Sequence, residues 1–465
     1  MSKGKLLAGF AGAALPCLLA FATAAQSDEV YSVFRVIPVP GGLTSFDIAF
    51  VDANINTFVL ADRTNKSVDV VDTNSNVMTH QYTASPPFRG VFNPLGLAGA
   101  SGPNGVIIVD QREVWATDAP VLTCTPAPQV CTVVTPSSVK VIDLVSGITT
   151  HTIDTGGVRR TDELCEHVKG ETVLVANDNE LDNFLTFINT ETYSVIGTKH
   201  KLDGTDANFK ITLTGVSVPA GAKVAAVGIE QCKFNPRMNA YYLAIPATSI
   251  IPVSGSPTTP GPGVVLKIGI HPNFHIQQTI TVPTSTGCTG PAGLAIGPDH
   301  QILLGCGGTN SLVIDDRSVG TATIIKTQLS EGGADEVWYN PGDNSYFIAR
   351  SSVGKLGVSD ATGTTEQDAD VTTTIGSHTV AADMTRNQIY VPVRSNTVTG
   401  TCTVAGCATL CGAAGSTAAA QGCIAVLTAP NDDKCLAQGM PVLDHDDGDD
   451  PVFMRTRCRD NDNAP

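Results

Sequence analysis

Apolar and polar positions along this chain fall into a block that recurs about seven times. A short apolar run leads into a polar turn. A second run, rich in β-branched and aromatic residues, follows, and a third ends in another polar turn. The clearest copy reads DEVWYNPGDNSYFIARS (335–351). The first copy reads SFDIAFVDANINTFVLADR (45–63) and the last HTVAADMTRNQIYVPVRS (378–395). Gly, Asn, Asp and Pro bound each run, and no stretch keeps a helical period of about 3.6 residues.

The block predicts an all-β chain, with short antiparallel strands repeated around an axis: a seven-bladed β-propeller over 25–430. The leading run VYSVFRVIPV (30–39) has no partner in its own copy. It is expected to close the ring as the outer strand of the last blade, which removes an exposed sheet edge. An open β-solenoid or a pair of β-sandwiches is the alternative. Cys-rich insertions decorate the ring at 123–136 and 398–421, and a Pro/Ser/Gly-rich loop is expected at 246–262. A Cys-containing acidic C-terminal segment fills 431–465, and its run DHDDGDD (444–450) reads as a solvated tail.

Composition narrows the compartment. Lys3 and Lys5, then the apolar stretch 6–21, then Ala22-Thr23-Ala24 read as a secretory signal peptide over 1–24. A lipoprotein anchor at Cys17 is the rival reading. No other stretch reaches the roughly 20 apolar residues of a membrane span. The chain is expected to be secreted or periplasmic. Its net charge of −16 becomes −18 once Lys3 and Lys5 leave with the leader. Such an acidic surface excludes nucleic acid as a partner, since phosphate needs Lys and Arg to neutralise it. A small-molecule ligand or another protein remains.

Thirteen Cys become twelve without Cys17. An even count in an exported chain predicts disulfides. Cys165 and Cys232 occupy the same register in neighbouring copies and are expected to bridge them. Cys288–Cys306 would flank a hairpin and Cys124–Cys131 would pinch a loop. Cys402, Cys407, Cys411, Cys423, Cys435 and Cys458 would staple the last blade and tail. Metal ligation by Cys402, Cys407, Cys411 and Cys423 is the alternative for that group.

Aligned on their turns, the copies carry an acid or imidazole near the start of the first strand: Asp47, Glu163, Glu230, Asp335 and His378. The second copy shows Leu95 or Gly96 there and the fifth Ala292. In a propeller these five side chains would converge on the mouth of the central channel. Clustered carboxylates repel unless protonated or bridged by a cation. A divalent metal ion is therefore expected at these five residues, Ca²⁺ by their oxygen donors, with room for Mn, Fe or Zn beside the imidazole. A water-filled channel without an ion is the other possibility. A second set follows the second strands: Asp62, Arg63, Asp110, Asn177, Asp178, Arg350 and Arg394. Of these, Arg63, Asp178, Arg350 and Arg394 are candidate ligand-binding residues, because guanidinium offers a bidentate fork to a carboxylate or phosphate. The arginines could equally pair with ring or loop acids.

The "NP…N…YFIA" and "KSVDVVDT" elements resemble those of the NHL/YVTN-type seven-bladed propellers of exported bacterial proteins. The acidic ring is also similar, in part, to that of the regucalcin/gluconolactonase group. That resemblance implies a divalent cation at the mouth and hydrolysis of lactones or esters, with Glu163 or Glu230 and Asp335 as metal ligands. The Asn ligands of that group are not clearly in place, and its propellers have six blades. On a metal-dependent hydrolase or lyase reading, Glu163 and Asp335 are the catalytic candidates, one acting as base beside the cation. A non-enzymatic secreted binding or scaffold protein is the alternative. The chain carries no G-x-S-x-G, H-E-x-x-H or P-loop motif.

Overall fold

A computed structural model describes residues 30–92, 98–125, 131–178, 182–253, 258–271, 273–361, 370–395, 410–411 and 421–429. The predicted leader, Leu95 and Gly96, Cys402 and Cys407, and the segment 431–465 with Cys435, Cys458 and the acidic run lie outside these residues. Among the described residues the chain is all-β. Six four-stranded antiparallel sheets and one five-stranded sheet follow one another in sequence. A three-stranded sheet (Lys223–Val227, Ala247–Ile251, Thr259–Gly261) and the hairpin Val121–Cys124/Cys131–Thr135 stand apart from them.

The first, fifth and sixth sheets are plain meanders, and the second and fourth keep that order around an inserted strand pair. The first comprises Ala49–Asp52, Thr57–Asp62, Ser67–Asp72 and Val77–Tyr82. Its second strand is almost wholly buried, whereas its fourth is mostly exposed. The same gradient recurs, with Gln388–Val393 fully buried and Thr149–Asp154 largely exposed. Strands covered on both faces need apolar side chains at odd and even positions alike, which is why these inner runs read as continuous. The seventh sheet is made from both ends of the described chain. Ser32–Pro38 pairs antiparallel with Cys423–Thr428, beyond Gln388–Val393 and Ala381–Asp383.

Hydrophobic clusters lie between consecutive sheets. Phe58 and Leu60 of the first sheet pack with Tyr390 and Ile424 of the seventh. Val59 and Ala61, on the opposite face of the same strand, pack with Val106 and Ala116 of the second. The remaining seams continue in the same order through the third to the seventh sheet. The first strands also pack one against the next, and Ala49–Asp52 touches both Val106–Val109 and Ala381–Asp383. This arrangement fits a propeller.

Among the described residues four disulfides are formed. Cys165–Cys232 ties the third sheet to the fourth, with Cα atoms 5.8 Å apart. Cys288–Cys306 and Cys124–Cys131 close local loops. Cys411–Cys423 anchors the insertion to the seventh sheet. Among the described residues no helix is long and apolar enough to cross a membrane.

Candidate functional site

The site begins with a backbone irregularity. At the start of the first sheet, Asp47 N–H donates to the Ala61 carbonyl and Ala61 N–H donates to Ile48, so two residues oppose one. The same exchange joins Asn104 and Gly105 to Thr117, Glu230 and Gln231 to Ala244, and Asp335 and Glu336 to Ala349. Register shifts at Thr161/Leu164 and Pro291/Leu294 mark the equivalent place in the third and fifth sheets. Such a bulge breaks the alternation of side chains and re-aims them. Consecutive residues of one strand can then serve one polar cluster.

Backbone bonds between sheets fix the levels. Ile48 N–H donates to Asn104 O, Gly105 N–H to Asp162 O, Gln231 N–H to Ala292 O and Glu336 N–H to His378 O. The outer level therefore holds Asp47, Asn104, Asp162, Glu230, Ala292, Asp335 and His378. Four of the five residues expected from the sequence stand there. In the third sheet the occupant is Asp162, and Glu163 sits one residue deeper. The strand ends at His167, which pairs with Thr172 across a four-residue turn, as Asn340 pairs with Ser345. Counting back from those residues gives Asp162 and Asp335. The turn Val168–Glu171 lacks the Asn-Pro signature, so the sequence suggests a turn one residue later. Asn104, the occupant in the second sheet, is hidden because its strand turns through Asp110–Arg112 instead.

Arginines thread this acidic level. Arg63 contacts Asp47 through a short ion pair and donates to Asn104 Oδ1 at 2.6 Å. Arg160 contacts Asp162 at 2.6 Å, Asp178 at 3.4 Å and Glu230 at 4.0 Å. His378 stacks on Phe46 and meets Asp47 through Nε2 at 3.1 Å, while Nδ1 lies 2.8 Å from Gly376 O. Burial pushes the Asp47 carboxyl up, but Arg63 and His378 outweigh it and hold the group down at about 2. Asp162 has the opposite balance: burial, with Asp47 and Asp178 nearby, carries it to about 7 against the pull of Arg160. Burial and Asp162 push Glu230 well up. Burial also raises Asp335, opposed by His378. Burial would lower His378, yet Asp47 and Asp335 raise it.

A deeper level lies one residue along each strand. Glu336 is 2% exposed. It accepts from Gln231 Nε2 at 3.0 Å and from the Thr379 hydroxyl. Gln231 Oε1 in turn accepts from Leu294 N–H at 2.6 Å. Gly105 and Gly293 occupy this level in the second and fifth sheets, where a Cβ would strike the carbonyls of Asp162 and Asp335. Glycine is required there by close approach of neighbouring strands. Burial and the charges of Glu336 and Asp162 push Glu163 well up, with Lys233 opposing. Below, Lys233 Nζ stands 5.2 Å from the Trp338 ring centre, and Trp338 meets Phe50 edge-on at 5.8 Å. These three come from the fourth, sixth and first sheets.

Two predicted ligand-binding arginines lie elsewhere. Arg350 is engaged by Asp370 at 2.8 Å, Glu331 at 3.2 Å and the Gly332 and Ser330 carbonyls. Arg394 donates to Thr44 O at 2.6 Å. Arg63 and Asp178 do belong to the cluster. No repeat pattern marks Arg160, Gln231, Lys233 or Glu336, since strict alternation would turn the deeper-level residues away.

A divalent cation at this level would have to compete with protein partners. Asp47, Asp162 and Glu336 already hold protein partners. Among the described residues no three His, Cys, Asp or Glu side chains gather as a metal-holding group.

No protein-family model matches the chain, and no curated protein matches its sequence. Among solved structures it is similar to hydrazine synthase of Kuenenia stuttgartiensis, at 12% identity and a TM-score of 0.47. That match covers 68% of this chain and 84% of the other.

Proposed function

We propose that the chain is an exported seven-bladed β-propeller that binds a small organic cation at the mouth of its central channel and acts as a binding protein. The observation that carries this reading is a charge imbalance. Among the described residues, Asp47, Asp162, Glu163, Asp178, Glu230, Asp335 and Glu336 face Arg63, Arg160, Lys233 and His378 as their main cations. Burying like charges is costly, and the raised carboxyls record that cost. A cationic ligand relieves it. The acids are spread over several strands and two levels, which suits an extended organic cation better than a point charge.

Isothermal titration with spermidine and with Ca²⁺ tests the reading. Spermidine is expected to bind saturably, to weaken as salt rises, and to lose about tenfold or more in affinity in Glu230→Gln. Metal content of the purified protein, repeated with Glu163→Gln and Asp335→Asn, covers the metal-dependent hydrolase. Ca²⁺ binding that disappears in Asp335→Asn, with no spermidine binding, would overturn the organic-cation reading in favour of a metal-bound mouth.

A further inference from the structure

We propose that Asp62 and Asp69 hold one proton between them and form a pH-sensitive latch on the closing strand Ser32–Pro38. The pair lies apart from the acidic mouth and does not depend on the organic-cation reading above.

Strand register brings the two carboxyls together. Asp62 stands opposite Ser67, and Asp69 follows two residues on, so all three share one face of the first sheet. Leu60, opposite Asp69, packs on that face against the seventh sheet, which makes it the face of the closure seam. Asp62 and Asp69 are both wholly buried. Asp69 Oδ1 accepts from Ser67 Oγ at 3.0 Å and from Gln81 Nε2 at 3.1 Å. Asp69 Oδ2 is buried without a hydrogen-bond partner among the described residues. Two buried carboxylates on one face repel, and a buried oxygen without a donor is costly. One proton held between them removes both costs.

No cation takes that proton's place among the described residues. In the turn that joins the two strands, Arg63 is engaged by Asp47 and Asn104, and Lys66 lies over Gly90. His80 of the fourth strand stacks on Tyr82. Arg394 of the seventh sheet donates to Thr44 O, and Arg35 of the closing strand is exposed. Residues 39–46, which cross the seam, carry no charged side chain.

Two amides tie the pair to the closure. Asn65 Nδ2 donates to Asp62 Oδ2 at 2.5 Å and to the Gly42 carbonyl at 2.9 Å. Gln81 Nε2 donates to Asp69 Oδ1 and to the Pro40 carbonyl, each at 3.1 Å. Pro40 and Gly42 lie just past the end of the closing strand. Gln81 also lines a groove between Ser32–Pro38 and Val77–Tyr82, which gives water a path to the pair. Once the proton leaves for water, two carboxylates face each other. As they part, Asn65 and Gln81 are drawn off the two carbonyls and the closing strand loosens. Burial and then the Asp62 charge raise Asp69 well above the ordinary carboxyl range, opposed by Ser67 and Gln81. Burial raises Asp62 as well, opposed by Asn65. The latch is therefore complete below the ordinary value near 3.8 and is lost as pH rises through the raised one.

Hydrogen exchange of the full chain from pH 4 to pH 9, corrected for intrinsic rates and read by mass spectrometry, tests the latch. Peptides covering Ser32–Pro38 are compared with the outer strand Thr149–Asp154 of the second sheet. Protection of the closing strand should fall by up to about tenfold per pH unit and then level off, more steeply than the reference. Asp69→Asn is neutral at every pH and offers Asp62 a donor, so it should flatten the closing-strand profile and leave the reference as it is. Asp62→Asn should do the same and carries the test if Asp69→Asn does not fold, with urea midpoints at pH 5 as the check on folding. Asn65→Ala, which cuts the tie to Gly42, should lower closing-strand protection even at pH 5. A wild-type profile no steeper than the reference, or the wild-type slope kept in the Asp69→Asn and Asp62→Asn chains that fold, overturns the latch. Neither result bears on amine binding, which is measured separately.

Discussion

Two acid-and-arginine clusters in this chain invite comparison. In the sixth sheet Arg350 and Lys355 meet Glu331 and Asp370, two cations for two acids, with the arginine also capping the Ser330 and Gly332 carbonyls. In the cluster around Asp47 and Asp162, acids outnumber cations among the described residues. The balanced cluster is spent on holding loop 330–333 and the segment at Asp370 to a strand end. The unbalanced one has capacity left over. Charge balance, more than the presence of arginine, separates a structural network from a site.

Breaking the balanced cluster should have the largest effect. Arg350→Met leaves the buried Glu331 without Arg350, with Asp370 still held by Lys355, and is expected to cost about 3 kcal/mol in urea unfolding. Its spermidine affinity, measured below the transition, should stay at the wild-type value. A loss of binding with little loss of stability would invert the comparison. Next, removing Cys165 and Cys232 together frees a bridge spanning 67 residues. The chain-entropy account puts this at about 4 kcal/mol, read from the same unfolding curves. Because that bridge joins the strands of Asp162 and Glu230, binding should weaken too, unlike in Arg350→Met.

The smallest expected effect is on pH dependence, and it sharpens the contrast inside the mouth. Asp162 is raised to about 7, so the folded chain binds its proton more tightly than the unfolded chain does. The stabilisation is complete below the ordinary carboxyl range near 3.8 and is lost as pH rises through about 7. His378, raised above 6.5, acts in the same direction. Asp47, lowered to about 2, acts in the opposite one: its contribution is present above 3.8 and disappears as acid takes the pH toward 2. Melting temperature should therefore rise between pH 8 and pH 5 and fall below pH 4. Asp162→Asn should make the upper limb shallower, with His378 and the raised glutamates keeping part of it, and leave the lower limb unchanged. A flat upper limb in wild type would remove the imbalance on which the comparison depends.

Much of the sheet pattern is legible in the sequence because each four-residue turn announces itself. Asp52, Asn235, Asn340 and Asp383 each end a first strand, and five residues upstream stand Asp47, Glu230, Asp335 and His378. The third copy misleads because Val168–Glu171 contains no Asn-Pro and is a short 3-10 turn. The deeper level is illegible for a different reason. Alternation is a rule for regular strands, and the bulges at Glu230/Gln231 and Asp335/Glu336 suspend it where the chemistry lies. Arg160 recurs in no other copy, so no alignment of repeats could reveal it. The disulfide between Cys165 and Cys232 forms although the two are not in one register: Cys165 stands two residues before the strand end at His167 and Cys232 three before Asn235, yet their Cα atoms are 5.8 Å apart.

The strand Ser32–Pro38 pairs with Cys423–Thr428, and Ser32 stands opposite Thr428. Almost the whole described chain lies between these partners. During synthesis, which proceeds from the N-terminus, the strand Ser32–Pro38 must wait for Cys423–Thr428 before it finds its place. Until then Val33 and Phe34 remain on an unpaired edge, and the seam holding Ile37 against Phe58 stays incomplete. Completion of the fold is thus timed by its final strand, and a nascent chain stalled before Cys423 would present a sticky β-edge to chaperones or to its own kind.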